Sequence, residues 1–162
     1  MASLPRPVIG FLGSIQYWID LDLIAYLARA RPAYSFVLVG PLAVSKNRLA
    51  RRKNVHFLGD KPYPQVPAYL KGFDVALSPY KPGPLAQASN PLKLYEYLAA
   101  GLPVVSTKMP EAEKFPREIV YIADDYASFL RGIEHFLSQP QLRDEVRRLA
   151  YKAVKSYDWE EL

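Results

Sequence analysis

The chain contains no cysteine. That excludes disulfides, thiolate metal sites and cysteine nucleophiles, and it fits a reducing compartment. Its two histidines, His56 and His135, are too few for a histidine-built metal centre. No apolar run approaches the roughly 20 residues that a membrane-spanning helix needs, and the first residues lack the pattern of a secretory leader. Repeats, low-complexity tracts and internal linkers are also missing. The expectation is one cytoplasmic domain.

With 162 residues, half of them apolar, the chain is long enough to bury a substantial core. Its net charge of +5 favours anionic partners such as nucleotides, lipid headgroups or nucleic acid. Fifteen prolines fall mostly between apolar runs, as punctuation. Those runs predict strands at Val8–Leu12, Ser35–Val39, Val55–Leu58, Asp74–Ser78, Val104–Val105 and Ile119–Ile122. Helical patterns lie between them: Ile19–Ala30, a shorter basic helix over Val44–Arg52, and Pro64–Lys71. A helix follows Asn90, and Tyr80–Asn90 reads as loop. Two more helices close the chain. Asp125 caps the first, whose core face is Phe129, Ile133, Phe136 and Leu137. The last uses Leu142, Val146, Leu149, Ala153 and Tyr157.

Strands of continuous apolar residues that alternate with helices predict an α/β fold. The form expected is a doubly wound, Rossmann-like parallel sheet of about six strands with helices on both faces. Ligands of such sheets bind outside the carboxyl ends of the strands. The loops there hold Gly13-Ser14, Gly40-Pro41, Gly59-Asp60, Ser78–Pro91 and Ser106-Thr107.

The densest signal is Ser89–Thr107, SNPLKLYEYLAAGLPVVST. A turn opens a helix carrying Lys93 and Glu96, Ala99-Ala100-Gly101 closes it, and Pro103-Val104-Val105-Ser106 begins a strand. A helix N-terminus can hold phosphate, and a glutamate one turn in can accept hydrogen bonds from a sugar diol. The plainer alternative is a buried helix with a surface Lys-Glu pair at i,i+3.

Five ordered motifs, spanning almost the whole chain, carry a resemblance. They are Gly10-Phe11-Leu12-Gly13-Ser14-Ile15, Val37-Leu38-Val39-Gly40-Pro41, Asn54-Val55-His56-Phe57-Leu58-Gly59, Phe73-Asp74-Val75-Ala76-Leu77-Ser78-Pro79, and Pro91 to Val105. Together they resemble the donor-binding C-terminal domain of GT-B glycosyltransferases of the family 4 type. Trp18–Leu23 looks like members that build bacterial surface polysaccharides. The resemblance implies sugar transfer from a nucleoside-diphosphate sugar of UDP or GDP type, with no further cofactor; no metal site is expected, since no Asp-x-Asp cluster sits at a strand end. It also implies an N-terminal acceptor-binding domain that a chain of 162 residues has no room for.

The resemblance also assigns residues. Glu96 matches the second glutamate of the family's pair, on the ribose hydroxyls. Asn90, Pro91 and Leu92 match the turn beside the diphosphate and sugar, and Gly13 and Ser14 the glycine turn near the diphosphate. Gly59 to Tyr63, including Lys61, match the segment beside the base, and Gly40 and Pro41 line the same crevice. The first glutamate of the pair falls at Ala88, and the Arg and Lys that neutralise the diphosphate fall at Ser14 and Ile19. Lys93 can supply the missing cation, so Lys93 and Glu96 are the candidate catalytic residues. The departures also motivate an alternative, a non-catalytic nucleotide-sugar-binding or scaffold module. A second enzyme class, a GT-B epimerase or phosphorylase, is set against the absence of any pyridoxal phosphate motif.

Other polar residues read as structural. Asp74 starts a strand, on the wrong edge of the sheet for the site, His56 lies within one, and Asp124 and Asp125 suit helix capping. Asp20-Leu21-Asp22 falls at a helix start, where either acid can serve as a cap. The run Lys46–Lys53 has five cations and no acid. It reads either as a solvated face or as a contact with anionic lipid at the inner face of the membrane. No nucleic-acid recognition motif is present.

Overall fold

In the computed structural model, which describes residues 1, 3–46, 49–88 and 92–155, six strands form one sheet in the order β3-β2-β1-β4-β5-β6. They are β1 (Val8–Leu12), β2 (Ser35–Val39), β3 (Val55–Gly59), β4 (Val75–Ser78), β5 (Val104–Thr107) and β6 (Val120–Ala123). Every pairing is parallel. The helices are α1 (Leu21–Ala30), α2 (Val66–Lys71), α3 (Pro84–Ala88), α4 (Leu92–Ala99), α5 (Pro110–Glu113), α6 (Tyr126–Leu137) and α7 (Arg143–Lys155). This is the doubly wound arrangement expected, and its topological switch point lies between β1 and β4.

The period-2 alternation of strand side chains divides the core into two layers. Val8, Leu12, Val37, Val39, Ala76 and Val104 face α2, α4, α5 and α7. Ile9, Phe11, Phe36, Leu38, Val75 and Leu77 face α1 and α6. Burial on both faces is why the inner strands carry no polar alternation.

The caps follow the sequence. Asp20 accepts from Leu23 N at 3.0 Å and closes the start of α1. Asp125 and Ser128 form a reciprocal capping box on α6. The backbone amide and hydroxyl of Ser128 hold the Asp125 carboxyl below its ordinary pKa. Asp74 sits at the amino edge, its carboxylate accepting from Val8 N at 2.8 Å and pairing with Arg6 and Arg143 at 2.8 and 3.1 Å.

Three expectations change. The basic segment is not a helix in its described residues. Val44 to Lys46 is irregular, and Leu49 to Arg51 is a turn closed by bonds from Leu49 N and Ala50 N to Lys46 O. Leu49 is its one buried side chain among the described residues, so there is no apolar stripe to hold a helix down. Asn47 and Arg48 lie outside the described residues. The loop after β4 contains α3, a single turn that opens with Pro84 and is pinned by buried Ala86. A similar turn, α5, follows β5, with Pro110 first and Ala112 buried. The last helix starts at Arg143. Leu142 precedes it in a 3₁₀ turn, and Tyr157 lies outside the described residues.

Candidate functional site

The carboxyl edge of the sheet is stitched together by backbone. Gly13 N donates to Val39 O at 2.9 Å, Ile15 N to Pro41 O at 2.9 Å, Ala43 N to Ile15 O at 3.0 Å and Gly40 N to Gly59 O at 2.9 Å. The turns after β1, β2 and β3 are thus one unit. Their approach is close: a Cβ on Gly40 would stand 1.8 Å from Gly13 O, and the residue has φ +145°. Only glycine fits there.

On the other side of the switch point, the loop before α1 runs along the loop after β4. Asp20 N donates to Pro79 O and Lys81 N to Trp18 O, both at 2.8 Å. Between these walls lies a cleft of about 140 Å³, lined by Gly13, Ser14, Trp18, Tyr80, Lys93 and Tyr97 among others. The stem of Lys93 comes within 3.8 Å of where a Gly13 Cβ would be. The Oγ of Ser14 accepts from Gln16 at 2.9 Å. Burial raises the Tyr80 phenol above its ordinary pKa.

Tyr97 forms the floor of the cleft. Its hydroxyl accepts from Leu12 N at 2.7 Å and donates to Leu12 O at 3.3 Å. Complete burial, opposed by the hydrogen bond from Leu12, raises its pKa far above the usual phenol value. The phenol therefore stays neutral across the working range.

Lys93 and Glu96 pair at 3.3 Å, so the plain i,i+3 ion pair does form. Glu96 also lines a larger hollow of about 750 Å³ between α2 and α4, with Tyr63, Val66, Leu70 and Arg147. Tyr63 is 75% exposed at its rim. Lys61 lies over the ring of Tyr69, 5.8 Å from its centroid.

The expected residues therefore fall into two adjoining groups. Gly13, Ser14 and Lys93 meet in the cleft, with Gly40, Pro41 and Gly59 bonded behind them. Glu96 and Tyr63 meet in the hollow, and the Lys93–Glu96 pair joins the two groups. Lys61 lines neither cavity. Leu92 is exposed, and Asn90 and Pro91 lie outside the described residues. Sequence reasoning gave no site role to Tyr97, which lies inside the Pro91–Val105 motif, to Trp18, which opens the Trp18–Leu23 segment, or to Tyr80, next to the Phe73–Pro79 motif. Among the described residues, no group of His, Cys, Asp or Glu could hold a metal ion, and no helix is long and apolar enough to cross a membrane.

A 3-2-1-4-5-6 parallel sheet with glycine turns over its switch point defines a Rossmann-like α/β domain with a cleft at its carboxyl edge. The chain belongs to the glycosyl transferase-like family, whose model matches residues 21–161. It is 36% identical over 161 residues to TuaH of Bacillus subtilis (strain 168), provisionally named a teichuronic acid biosynthesis glycosyltransferase. That match covers 94% of this chain and 40% of TuaH. Several solved structures share the fold. Anabaena Alr3699/HepE in complex with UDP and glucose superposes with a TM-score of 0.74 at 18% identity, over 94% of this chain and 44% of that one. The catalytic domain of cholesterol-α-glucosyltransferase from Helicobacter pylori gives 0.77 at 14% identity, over 94% and 99%. Sucrose-phosphate synthase from Thermosynechococcus elongatus gives 0.78 at 18%, over 96% and 42%.

Proposed function

We propose that the chain is the donor-binding, C-terminal half of a GT-B glycosyltransferase of the family 4 type. It holds a nucleoside-diphosphate sugar, of UDP type, for transfer to an acceptor in surface polysaccharide or glycoconjugate synthesis. The observation that carries this reading is the meeting of the Gly13–Ser14 turn with Lys93 across the cleft at the switch point. A glycine turn, which lets a phosphate come close to the backbone, and a cation on the opposite wall suit a diphosphate, whose departure from the sugar needs its growing charge neutralised. In this reading Glu96 accepts from the ribose hydroxyls, and the base lies beside Gly59–Tyr63. Gly40 and Pro41 brace the turn, and Asn90, Pro91 and Leu92 pass the diphosphate and sugar. The name of TuaH and the UDP and UDP-glucose held by HepE support the substrate class.

The acceptor-binding half then lies outside these 162 residues, as the 40% coverage of TuaH supports. Five exposed large side chains in the segments that follow β1 to β4, Tyr17, Leu42, Tyr63, Leu85 in α3 and Leu92 at the start of α4, suit a surface that such a half covers. Arg51 and Lys53, exposed on the basic turn, suit contact with anionic lipid at the cytoplasmic face of the membrane. That contact predicts binding to vesicles rich in phosphatidylglycerol but not to phosphatidylcholine vesicles.

Calorimetric titration with UDP, GDP, dTDP and ADP, with Glu96→Ala in parallel, tests the donor site. The expected result is selective binding of UDP, weakened more than about tenfold, or about 1.4 kcal/mol, in the variant. A folded chain that binds none of the four refutes the reading. One observation favours the second reading, a non-catalytic binding module. Ile19, at the place of a diphosphate cation, is 2% exposed and apolar, so that position brings no charge to the cleft. Nucleotide binding without sugar transfer by the full-length protein identifies that case.

A further inference from the structure

In a parallel sheet, successive backbone amides point to opposite neighbours. Gly13 N points to β2, where it meets Val39 O. Leu12 N therefore points toward β4. The β1–β4 ladder, however, pairs only Ile9 with Val75 and Gly10 with Ala76. Beyond those pairs the cleft begins, and Leu12, still paired with Val39 of β2, has no partner in the β4 ladder. The Tyr97 hydroxyl takes that place, bonding both Leu12 N and Leu12 O from 85 residues away. Tyr97 lies four residues along α4 from Lys93 and is 1% exposed. One buried hydroxyl thus fixes the distance between the Gly13–Ser14 turn and the helix that carries Lys93.

We propose that Tyr97 is the positioning residue of the diphosphate subsite, holding the Gly13–Ser14 turn opposite Lys93 without touching the donor. The inference rests on the donor-site reading above and adds a residue to it. It separates the two halves of the nucleotide: the turn and Lys93 meet the diphosphate, whereas Glu96 and Tyr63 meet the nucleoside. Loss of the hydroxyl therefore weakens UDP and spares uridine. A merely structural role weakens both alike, or neither.

The test titrates UDP and uridine into the wild-type chain, Tyr97→Phe and Leu98→Val, at a temperature where all three are folded. Leu98 is the next residue of α4, fully buried, and serves as the packing control. Tyr97→Phe is expected to lose about fivefold or more in UDP affinity, the scale of one hydrogen bond, with uridine unchanged within about twofold. Leu98→Val is expected to keep the wild-type ratio of UDP to uridine affinity. Unchanged UDP affinity in folded Tyr97→Phe overturns the proposal, as does equal weakening of both ligands. A wild-type chain that binds neither ligand overturns the donor-site reading and the Tyr97 role with it. Wild-type nuclear magnetic resonance spectra give a second test that needs no variant. UDP should shift the Leu12 and Gly13 amides and the Tyr97 ring, and uridine should leave them in place. Saturation with UDP that leaves all three unmoved overturns the proposal.

Discussion

Gly40→Ala tests whether the three turns at the carboxyl edge act as one piece. The new Cβ would meet Gly13 O at 1.8 Å and Gly13 C at 2.6 Å, both backbone atoms that cannot swing aside. The turns must separate, and the bonds from Gly13 N to Val39 O and from Gly40 N to Gly59 O are lost or stretched. Backbone strain in a conformation that suits glycine costs about 1–3 kcal/mol, and each bond adds about 0.5–1.5 kcal/mol. The expected loss is about 2–6 kcal/mol, against a typical total of about 5–15 kcal/mol. For a chain of this size that lowers Tm by roughly 5–20 °C. Gly83→Ala is the control: Gly83 has φ +147°, nearly that of Gly40 at +145°, but a Cβ there meets nothing within 4 Å. It carries the strain without the collision and should cost about 1–2 kcal/mol. Urea unfolding of both variants measures the difference. Equal losses, or a loss at Gly40 under about 1 kcal/mol, would show that the turns yield independently and that the close approach holds nothing in place.

Two further outcomes follow from side chains outside the cleft. Tyr126 donates to both oxygens of the helix-capping Asp20, at 3.0 and 2.9 Å. Because Tyr126 is 38% exposed, water softens its loss, and Tyr126→Phe should cost about 1 kcal/mol. Burial first, and then Asp20, push that phenol up to about 12 from an ordinary 10.0. Its contribution is therefore complete below pH 10 and fades as the pH climbs toward 12. The stability gap between wild type and variant should shrink over that window; a gap that widens refutes the assignment. Asp74→Ala strips Val8 N of its partner and frees two arginines whose side chains are 60% exposed. It should cost about 2 kcal/mol and leave UDP affinity unchanged, since it acts at the amino edge. A drop in UDP affinity in the folded variant would place Asp74 in the site after all.

The strands were the most legible part of the chain. Ser35–Val39 is buried at every position, and a five-residue apolar run bounded by turn residues has few other uses. Caps were legible for the same reason: Asp20 and Asp125 act on amides three residues away. The short helices α3 and α5 escaped because each has one buried alanine, too little for a periodicity to register. The basic segment misled in the opposite sense. Its length suited a helix, but Leu49 is its one fully buried side chain among the described residues, with Val44 packed at the margin. Within the site, the glycine turns could be read because each ends a strand in a positive-φ conformation that favours glycine, although the approach of Gly40 to Gly13 could not. Tyr97 could not, because its partner is 85 residues away and its spacing on α4 is that of an ordinary core residue.

The Lys93–Glu96 pair bears on how the site can both form and work. At 3.3 Å, with the two side chains 39% and 25% exposed, it is a partly solvated i,i+3 pair. Such pairs contribute about 0.2–0.5 kcal/mol. A hydrogen bond to a charged group contributes about 1.5–3 kcal/mol. A diphosphate oxygen can therefore draw the Lys93 ammonium away from Glu96 at small cost, and a ribose diol can replace the lysine as partner of the carboxylate. The ion pair and the donor site are thus not rival accounts of this helix. In the free chain the pair keeps two opposite charges together on the stretch of α4 between the cleft and the hollow. In the donor complex proposed above the same two groups would separate, the cation to the diphosphate and the carboxylate to the sugar of the nucleoside. The weakness of the pair is what makes that exchange affordable, and a tighter, buried pair at the same positions would hold both groups back from the nucleotide.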